Sequence, residues 1–226
     1  MKSVSKSAKK LAIVSGSRGG IGHGLMIELA NRGYQACEID IVKGLGIDIT
    51  KSLKETFNNF LRYGQEIAIV INCAGITGEN SIKHPRKQMN TILRRQMEVN
   101  FFGMINVCKE ALPYMRKGGS IVNVASKSAS HALPCRMGYC ASKGAVVSAS
   151  RQMAVDLAPN IRVNTVSPGI IDTDMTGSVV KEMKEVPNLL KRKGTIWETA
   201  KFICDVAENK YITGQDFIID GGYCAI

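Results

Sequence analysis

Short apolar segments alternate with helical patterns along almost the whole chain. Ile67–Ile71 is apolar at every position, as expected for a strand covered on both faces of a sheet. Ser52–Tyr63 instead places Leu53 and Phe57 at helical spacing. Strands and helices that alternate in this way form right-handed β-α-β units, so the pattern predicts an α/β fold. We expect a single domain over residues 11–226, with a doubly wound, mostly parallel sheet of seven strands and helices on both faces.

The predicted elements can be assigned along the chain from their apolar spacing and their turn residues. We predict strands at 12–14, 34–40, 67–71, 120–125, 161–166 and 215–220. We predict helices from the loop after the first strand to Arg32, and at 52–63, 85–115, 138–157, 177–184 and 196–208. The long segment at 85–115 is expected to be interrupted near Asn100–Gly103.

The link after the second strand is unusually short. Only Ile41–Gly46 separates Asp40 from Ile47–Ile49, the segment that would form the third of the seven strands. A parallel crossover that contains a helix needs at least about 10–12 residues. Either the helix is missing here, or the strand at Ile47–Ile49 is rudimentary.

The charge and cysteine patterns argue against several classes of function. The net charge is +11, but the lysines and arginines are scattered and there is a single tryptophan, so no platform for specific nucleic-acid binding is predicted. No apolar run approaches the ~20 residues of a membrane helix, and residues 1–10 are predicted to form a flexible basic tail. The seven cysteines contain no Cys-x-x-Cys spacing, which predicts no metal site and, with their odd number, a cytoplasmic location.

Three glycines lie between the first strand and the first helix. Gly16, Gly20 and Gly22 allow a tight turn and let a pyrophosphate approach the N–H groups at the helix N-terminus. Asp40 ends the second strand, where a carboxylate can accept hydrogen bonds from ribose hydroxyls and repel a 2′-phosphate. Arg18 instead favours NADP(H), because a cation in the loop could pair with that 2′-phosphate. The pattern predicts a Rossmann-fold dinucleotide site that prefers NAD(H), with NADP(H) as the alternative.

Tyr139 and Lys143 lie four residues apart and therefore share one face of a predicted helix. A phenol has a pKa of about 10, too high for acid–base work near neutral pH. An ammonium beside it would favour the phenolate and lower that pKa. The pair is therefore a candidate proton donor and acceptor for a carbonyl or an alcohol, although the same spacing also occurs in exposed helical pairs.

Several motifs together resemble the short-chain dehydrogenase/reductase family between residues 11 and 223. The first matching motif is the glycine loop. In a later motif, Asn72–Gly75, Cys73 replaces the asparagine that the family carries at that position. The matching segments are, in chain order, Ser15–Gly22, Asn72–Gly75, Val99–Gly103, Gly118–Ser126 with the following Tyr139 and Lys143, Arg162–Thr173, and Tyr211–Gly222.

The resemblance implies a catalytic set of Asn100, Ser126, Tyr139 and Lys143. Tyr139 would exchange a proton with the substrate oxygen, and Ser126 would hydrogen-bond that oxygen. Lys143 would lower the pKa of Tyr139 and hold the nicotinamide ribose. Asn100 would hold a water that relays protons from Lys143 to solvent.

The resemblance also implies where the cofactor and the substrate would lie. His131 and Arg136 are expected to line the substrate cleft together with Ser126 and Tyr139, under a lid at about residues 170–195. The expected cofactor contacts are Gly16, Arg18, Gly20, Ile21, Gly22, Asp40, Asp48, Ile49, Asn72, Ala74, Gly75, Tyr139, Lys143, Pro168, Gly169, Ile171 and Thr173.

Three functions remain open at this point. The favoured function is an NAD(H)-dependent oxidoreductase acting on a secondary alcohol or ketone of small or medium size. Thr173–Thr176 resembles the 3-oxoacyl-[acyl-carrier-protein] reductases, which mostly use NADPH, and a basic surface would suit an acidic carrier protein. A non-catalytic NAD(H) sensor or scaffold belongs to a different class. For any of these, the resemblance implies a homotetramer or homodimer.

Overall fold

A computed structural model describes residues 10–42, 45–61, 66–176 and 185–225 of the chain. Its centre is a parallel sheet with the strand order β2-β1-β3-β4-β5-β6. The strands are β1 (Leu11–Ser15), β2 (Gln35–Ile39), β3 (Ile67–Asn72), β4 (Met115–Val124), β5 (Ile161–Pro168) and β6 (Asp216–Ile219). The helices are α1 (Gly20–Asn31), α2 (Lys54–Phe60), α3 (Arg86–Met97), α4 (Gly103–Ala111), α5 (Met137–Leu157) and α6 (Ile196–Glu208).

The sheet carries a hydrophobic core on each face, which confirms the doubly wound α/β fold. Along β1, Leu11 and Ile13 belong to the first core, whereas Ala12 and Val14 belong to the second. This alternation is the period of two that a strand imposes on its side chains. Residues from α2, α4 and α5 complete the first core, and residues from α1 and α6 complete the second.

The expected seventh strand is not present, because Ile47–Ile49 forms no strand in the described structure. The backbone N–H of Ile47 donates to the carbonyl of Asp40 (2.8 Å), and Asp48 starts a turn by accepting from the N–H of Thr50 (3.0 Å). Ile49 then packs into the first core, where it is 6% exposed. The short link therefore leaves enough chain to bury one isoleucine but not enough for a crossover helix and a paired strand.

The helix interruption expected near Asn100–Gly103 is a π-helical turn over Glu98–Phe102, between α3 and α4. Such a turn widens the helix locally and often occurs at functional sites. Asn100 is 1% exposed at this turn. Gly103, which follows, leaves space for Ile49, since a Cβ there would lie 2.6 Å from the Ile49 Cδ1.

The two ends of the expected lid are joined by backbone hydrogen bonds. The N–H of Asp172 donates to the carbonyl of Gly194 (3.0 Å), and the N–H of Gly194 donates to the carbonyl of Ile170 (2.9 Å). The helix predicted at residues 177–184 lies outside the described residues. Among the residues described, no helix is both long and apolar enough to cross a membrane.

The buried thiols predict a loss of stability in alkaline solution. Burial raises the pKa of Cys108 and of Cys204 to about 12, above the usual value of about 8.5 that a thiol has in the unfolded chain. From about pH 9 upwards the unfolded state therefore loses protons that the folded state retains, and stability falls. Lys143 acts in the opposite sense, because burial lowers its pKa to about 8. We expect the urea midpoint, measured with reductant, to fall between about pH 9 and pH 10, where the thiols outweigh Lys143.

The cysteine contribution can be separated by substitution. Cys204→Ala should flatten this pH dependence, although it also lowers stability at neutral pH by leaving a small cavity. Cys135→Ala, at an exposed position, is the matched control and should leave the slope unchanged. Equal slopes for the wild type and Cys204→Ala would contradict the argument.

Candidate active site

The glycine loop after β1 is closed by contacts that leave no room for side chains. Gly16 has φ +71°, and a Cβ there would lie 2.6 Å from backbone atoms of Ala74. A Cβ on Gly22 would lie 1.9 Å from the carbonyl oxygen of Gly16. The loop therefore requires both glycines, and their absent side chains leave backbone N–H groups at the start of α1 accessible to an anion.

Gly22→Ala is expected to disrupt this loop and to abolish dinucleotide binding. The added methyl group overlaps the Gly16 carbonyl, so the loop must change its conformation. Gly144→Ala is the matched control in α5, where the nearest atom to an added Cβ is 3.7 Å away. Alanine is favoured there by about 1 kcal/mol over glycine inside a helix. Calorimetric titration with NAD⁺ and NADH, together with thermal unfolding, measures both effects; normal affinity in Gly22→Ala would contradict the assignment.

A cavity of about 360 Å³ lies over this loop, within the usual range for small-molecule sites. Eleven of the predicted cofactor contacts line it: Gly16, Arg18, Gly20, Ile21, Gly22, Asp40, Asp48, Ile49, Ala74, Gly75 and Thr173. Residues that the sequence reasoning did not assign to the cofactor complete the lining: Gly19, Ile39, Ile41, Val42, Ile47, Cys73, Ile76, Arg95, Val99, Asp174 and Met175. Most of these added residues are apolar, so a flat aromatic ring of a ligand could pack between their hydrocarbon side chains.

One corner of the cavity is acidic. The carboxylate of Asp40 accepts hydrogen bonds from the backbone N–H groups of Arg18 (2.9 Å) and Val42 (3.1 Å). The guanidinium of Arg18 is paired with Glu38, with 2.5 Å between Nε and Oε2. Because the Arg18 charge is neutralised by Glu38, the fixed negative charge of Asp40 dominates this corner.

The other six predicted cofactor contacts, Tyr139 among them, are not part of the lining of this cavity. Asn72 is 3% exposed, and its amide donates to Asn123 Oδ1 (2.8 Å) behind the loop. Ile171 is 4% exposed at the base of the lid, and Gly169 packs against Asp220. Pro168 ends β5 and Lys143 is 5% exposed on α5. Asp48 does line the cavity, but its Oδ1 accepts from both the N–H and the hydroxyl of Thr50.

Ser126 and Tyr139 meet at the carboxyl end of β4. Ser126 is 8% exposed, and its Oγ accepts a hydrogen bond from the N–H of Ser128 (3.1 Å). That bond uses an acceptor site and leaves the Ser126 O–H free to donate. Burial raises the pKa of the Tyr139 phenol, and its hydrogen bond with Ser126 opposes that shift. Tyr139 is therefore held as a neutral phenol at neutral pH.

Lys143 lies behind Tyr139, one helical turn further along α5. Its Nζ donates to the carbonyl of Val124 (2.8 Å) and lies 5.9 Å from the centre of the Tyr139 ring. Burial lowers the pKa of Lys143 to about 8. The sequence predicted that Lys143 lowers the pKa of Tyr139. Burial instead raises that pKa, and the groups that act to lower it are Ser126 and Arg136.

Asn100 joins the π-helical turn to the strand end and to α5. Its Oδ1 accepts from the N–H of Ile76 (2.7 Å), and its Nδ2 donates to the Ile76 carbonyl (3.0 Å) and to Ser142 Oγ (2.9 Å). Ser142 in turn donates to the carbonyl of Tyr139 (2.8 Å). Asn100 thus fixes the position of the Tyr139 turn through Ser142, a residue that sequence reasoning missed; its role as a water ligand stays a prediction.

Comparison with known proteins decides the family. A family profile described as enoyl-(acyl carrier protein) reductase matches residues 20–224. The 3-oxoacyl-[acyl-carrier-protein] reductase of Mus musculus is 31% identical over 95% of this chain and 97% of its own length. This chain belongs to the short-chain dehydrogenase/reductase family. It is accordingly an NAD(P)-dependent oxidoreductase that acts on CH–OH groups.

Several solved structures have the same fold as this chain. The ligand-free aldohexose dehydrogenase of Thermoplasma acidophilum has a TM-score of 0.87 and 28% identity, covering 96% of this chain and 95% of that one. ElxO with bound NADP has a TM-score of 0.87 and 25% identity, covering 97% of this chain and 100% of that one. The 4-hydroxyisoleucine dehydrogenase complexed with NADH has a TM-score of 0.85 and 26% identity, covering 96% and 100%.

His131 and Arg136, the other two predicted substrate residues of this short-chain dehydrogenase/reductase, both lie within the link between Ser126 and α5. The ring of His131 makes an edge contact with the ring of Tyr223, with 5.7 Å between the centres. Arg136 donates to the Thr77 hydroxyl (3.4 Å), and its positive charge acts to lower the pKa of Tyr139. Tyr223 belongs to the C-terminal 3-10 turn Tyr223–Ala225, which the sequence gave no reason to connect with the site.

Proposed function

We propose that this enzyme interconverts a secondary alcohol and a ketone of small or medium size, with NAD(H) as the preferred cofactor. The observation that carries the proposal is the meeting of Ser126 with Tyr139, in front of the buried ammonium of Lys143. Asn100 and Ser142 hold the backbone around Tyr139. An acid–base phenol, a second donor and a nearby cation are what proton exchange with a carbonyl oxygen requires.

The nearby glycine cradle fits a dinucleotide, and NAD(H), when bound, would donate or accept the hydride. Gly16, Gly20 and Gly22 would hold its pyrophosphate, and Asp40 its adenosine ribose. During ketone reduction, Ser126 would donate a hydrogen bond to the carbonyl oxygen while Tyr139 gives it a proton. Lys143 would stabilise the resulting phenolate, which then regains a proton. Alcohol oxidation uses the same groups in reverse.

The raised pKa of Tyr139 affects how the rates of oxidation and reduction depend on pH. Alcohol oxidation requires Tyr139 to accept a proton, and burial raises the pKa of its phenol. The proton-accepting phenolate therefore becomes more abundant as pH rises, whereas the phenol needed for reduction is abundant at neutral pH. Oxidation assays accordingly belong at alkaline pH and reduction assays near neutral pH.

The preference for NAD(H) is supported by the acidic corner of the cavity. Asp40 would repel a 2′-phosphate, and Arg18, the cation that could attract one, is paired with Glu38. The structural relatives include one with bound NADP and one with NADH, so family membership leaves this choice open. The fixed charges of this chain are what favour NAD(H).

An NADPH-dependent reductase of 3-oxoacyl groups on an acyl carrier protein is the second candidate. Two relatives that are 30–31% identical to this chain are named 3-oxoacyl-[acyl-carrier-protein] reductase. A net charge of +11 would also attract an acidic carrier protein. Asp40 argues against it through the cofactor. A non-catalytic NAD(H) sensor is disfavoured, because such a protein would need neither Ser126 nor Tyr139 beside its cofactor cavity.

A substrate screen that follows NADH absorbance tests the proposal. The purified protein is assayed with secondary alcohols and NAD⁺ at alkaline pH, and with ketones and NADH at neutral pH. Parallel reactions use NADP(H) and a 3-oxoacyl thioester, free and on acyl carrier protein. Turnover of alcohols with NAD⁺ supports the first candidate, and turnover of only the carrier-bound thioester with NADPH supports the second. NADH binding without any turnover would point to the sensor.

We also infer from the family resemblance that the enzyme is a homodimer or homotetramer, assembled through α4, α5 and the C-terminal strand. α5 exposes Val155 (72%), and the turn before α4 exposes Phe102 (48%), both of which a partner could cover. Light scattering during gel filtration measures the mass directly, and a monomer at micromolar concentration would refute the inference.

A further inference from the structure

Lys127 is a buried cation directly after Ser126, in a 3-10 turn over Lys127–Ala129. The residue is 3% exposed, and among the described residues its Nζ has no hydrogen-bond partner. The ammonium instead lies 3.2 Å from the centre of the Tyr223 ring. A cation–π contact satisfies part of its charge but accepts none of its three N–H donors in the way that an oxygen would.

Asp220, whose negative charge acts on Lys127, forms no ion pair with this ammonium in the described structure. The carboxylate of Asp220 accepts from the N–H of Gly222 (2.8 Å) and from the N–H of Cys224 (2.8 Å). Its negative charge reaches Lys127 only through space, and burial is the larger effect and lowers the Lys127 pKa. A buried ammonium without an oxygen partner costs stability, so its presence here calls for a role that a neutral side chain could not fill.

The surroundings of Lys127 connect it to His131, one of the predicted substrate residues. Its carbonyl accepts from the N–H of His131 (2.9 Å), and the ring of His131 makes an edge-type contact with the Tyr223 ring, which the ammonium faces. Lys127, His131 and Tyr223, which we call the Lys127 cluster, thus form one group of polar and aromatic side chains. Only a peptide bond separates this group from Ser126.

We propose that Lys127 binds a carboxylate of the substrate, which makes the substrates hydroxy acids and the corresponding oxo acids. This inference rests on the proposed function and specifies its substrate class. One ammonium with one positive charge matches a carboxylate monoanion better than a phosphate dianion. The ammonium faces the Tyr223 ring, and the carboxylate would supply the oxygen acceptors that the ring lacks.

Ligand binding tests the inference without any need for turnover. Straight-chain carboxylates of three to six carbons and their amides are compared by thermal shift, with and without NAD⁺. We expect carboxylates to stabilise the wild type more than amides do, and this difference to disappear in Lys127→Met, which replaces the lysine by an unbranched, uncharged side chain one atom shorter. Lys210→Met, at an exposed position, is the matched control and should behave like the wild type.

Kinetics then measure the effect on the reaction. The ratio of kcat/KM for hydroxy acids to that for their methyl esters should fall about 10- to 100-fold in Lys127→Met, the range for losing one charge-assisted hydrogen bond. Without ligand, Lys127→Met should unfold at the same or a higher temperature, because an unpaired buried charge has been removed.

Two results would overturn the inference. The first is an unchanged acid-to-ester ratio with a lower unfolding temperature, which would mean that Lys127 only anchors the C-terminal turn through Tyr223. The second is loss of acid preference in Arg136→Met but not in Lys127→Met. If the wild type oxidises no alcohol at all, the proposed function fails, whereas the thermal-shift comparison still decides whether Lys127 binds carboxylates.

Discussion

Tyr139→Phe is expected to lower kcat by about a hundredfold to ten-thousandfold, the range that general acid–base catalysis contributes. The substitution removes only the hydroxyl that would exchange a proton with the substrate oxygen. The phenyl ring can still pack where the Tyr139 ring lies between Ser126 and Lys143, so the fold and the cofactor cavity should be retained. Stopped-flow measurement of NADH formation gives kcat, and NADH fluorescence gives the affinity for the cofactor.

The control for this experiment is another tyrosine of the same chain. Tyr211 is 99% exposed, so Tyr211→Phe should have wild-type kinetics. A Tyr139→Phe enzyme with near-normal turnover and NADH affinity would remove Tyr139 from the mechanism. Loss of both turnover and NADH binding would indicate a structural defect instead, and circular dichroism with thermal unfolding would identify it.

The double variant Glu38→Gln/Asp40→Asn is expected to raise the ratio of kcat/KM for NADP⁺ to that for NAD⁺ by about a hundredfold or more. Asparagine at 40 can keep only one of the two bonds to the N–H groups of Arg18 and Val42, because these donate to different oxygens of Asp40, but it no longer repels a phosphate. Glutamine at 38 releases the Arg18 guanidinium from its ion pair. The ratio is measured with one alcohol and both cofactors.

The single variants separate the two contributions to cofactor choice. Asp40→Asn should raise the ratio by removing the repulsion of the 2′-phosphate. Glu38→Gln should raise it by freeing the Arg18 guanidinium to bind that phosphate. Asp156→Asn, an exposed carboxylate on α5, removes a charge at a distance and should leave the ratio unchanged. The same ratio in the double variant and the wild type would refute this account of the acidic corner.

The order of strands and helices could be predicted from the sequence because apolar spacing is local. α6 begins and ends where its pattern predicted, and its start is fixed by Thr195 and Glu198, which cap each other's backbone N–H groups. The missing strand at Ile47–Ile49 was foreseeable in part, since the length of the link is also local. What could not be foreseen is that Ile49 would enter the core beside Gly103.

Much of the site depends on contacts between segments that are distant in the sequence. Arg18 and Glu38 meet only because β1 and β2 are neighbours in the sheet. Lys127 meets Tyr223 across almost half of the chain. The pKa directions at Tyr139 and Lys143 follow from burial, which the spacing of the pair in the sequence does not determine.

Because Ile47–Ile49 forms no strand beside β2, the exposed edge of β2 affects the tendency of the protein to aggregate. In the part of the chain that the structure describes, β2 is an edge strand of the sheet, so its outer backbone edge can act as a template for pairing with another chain. Its short length of five residues and the charge of Glu38 both limit such pairing. Glu38 would thus limit aggregation in addition to forming the ion pair with Arg18. Preparations of Glu38→Gln should therefore be checked for concentration-dependent association before their cofactor kinetics are interpreted.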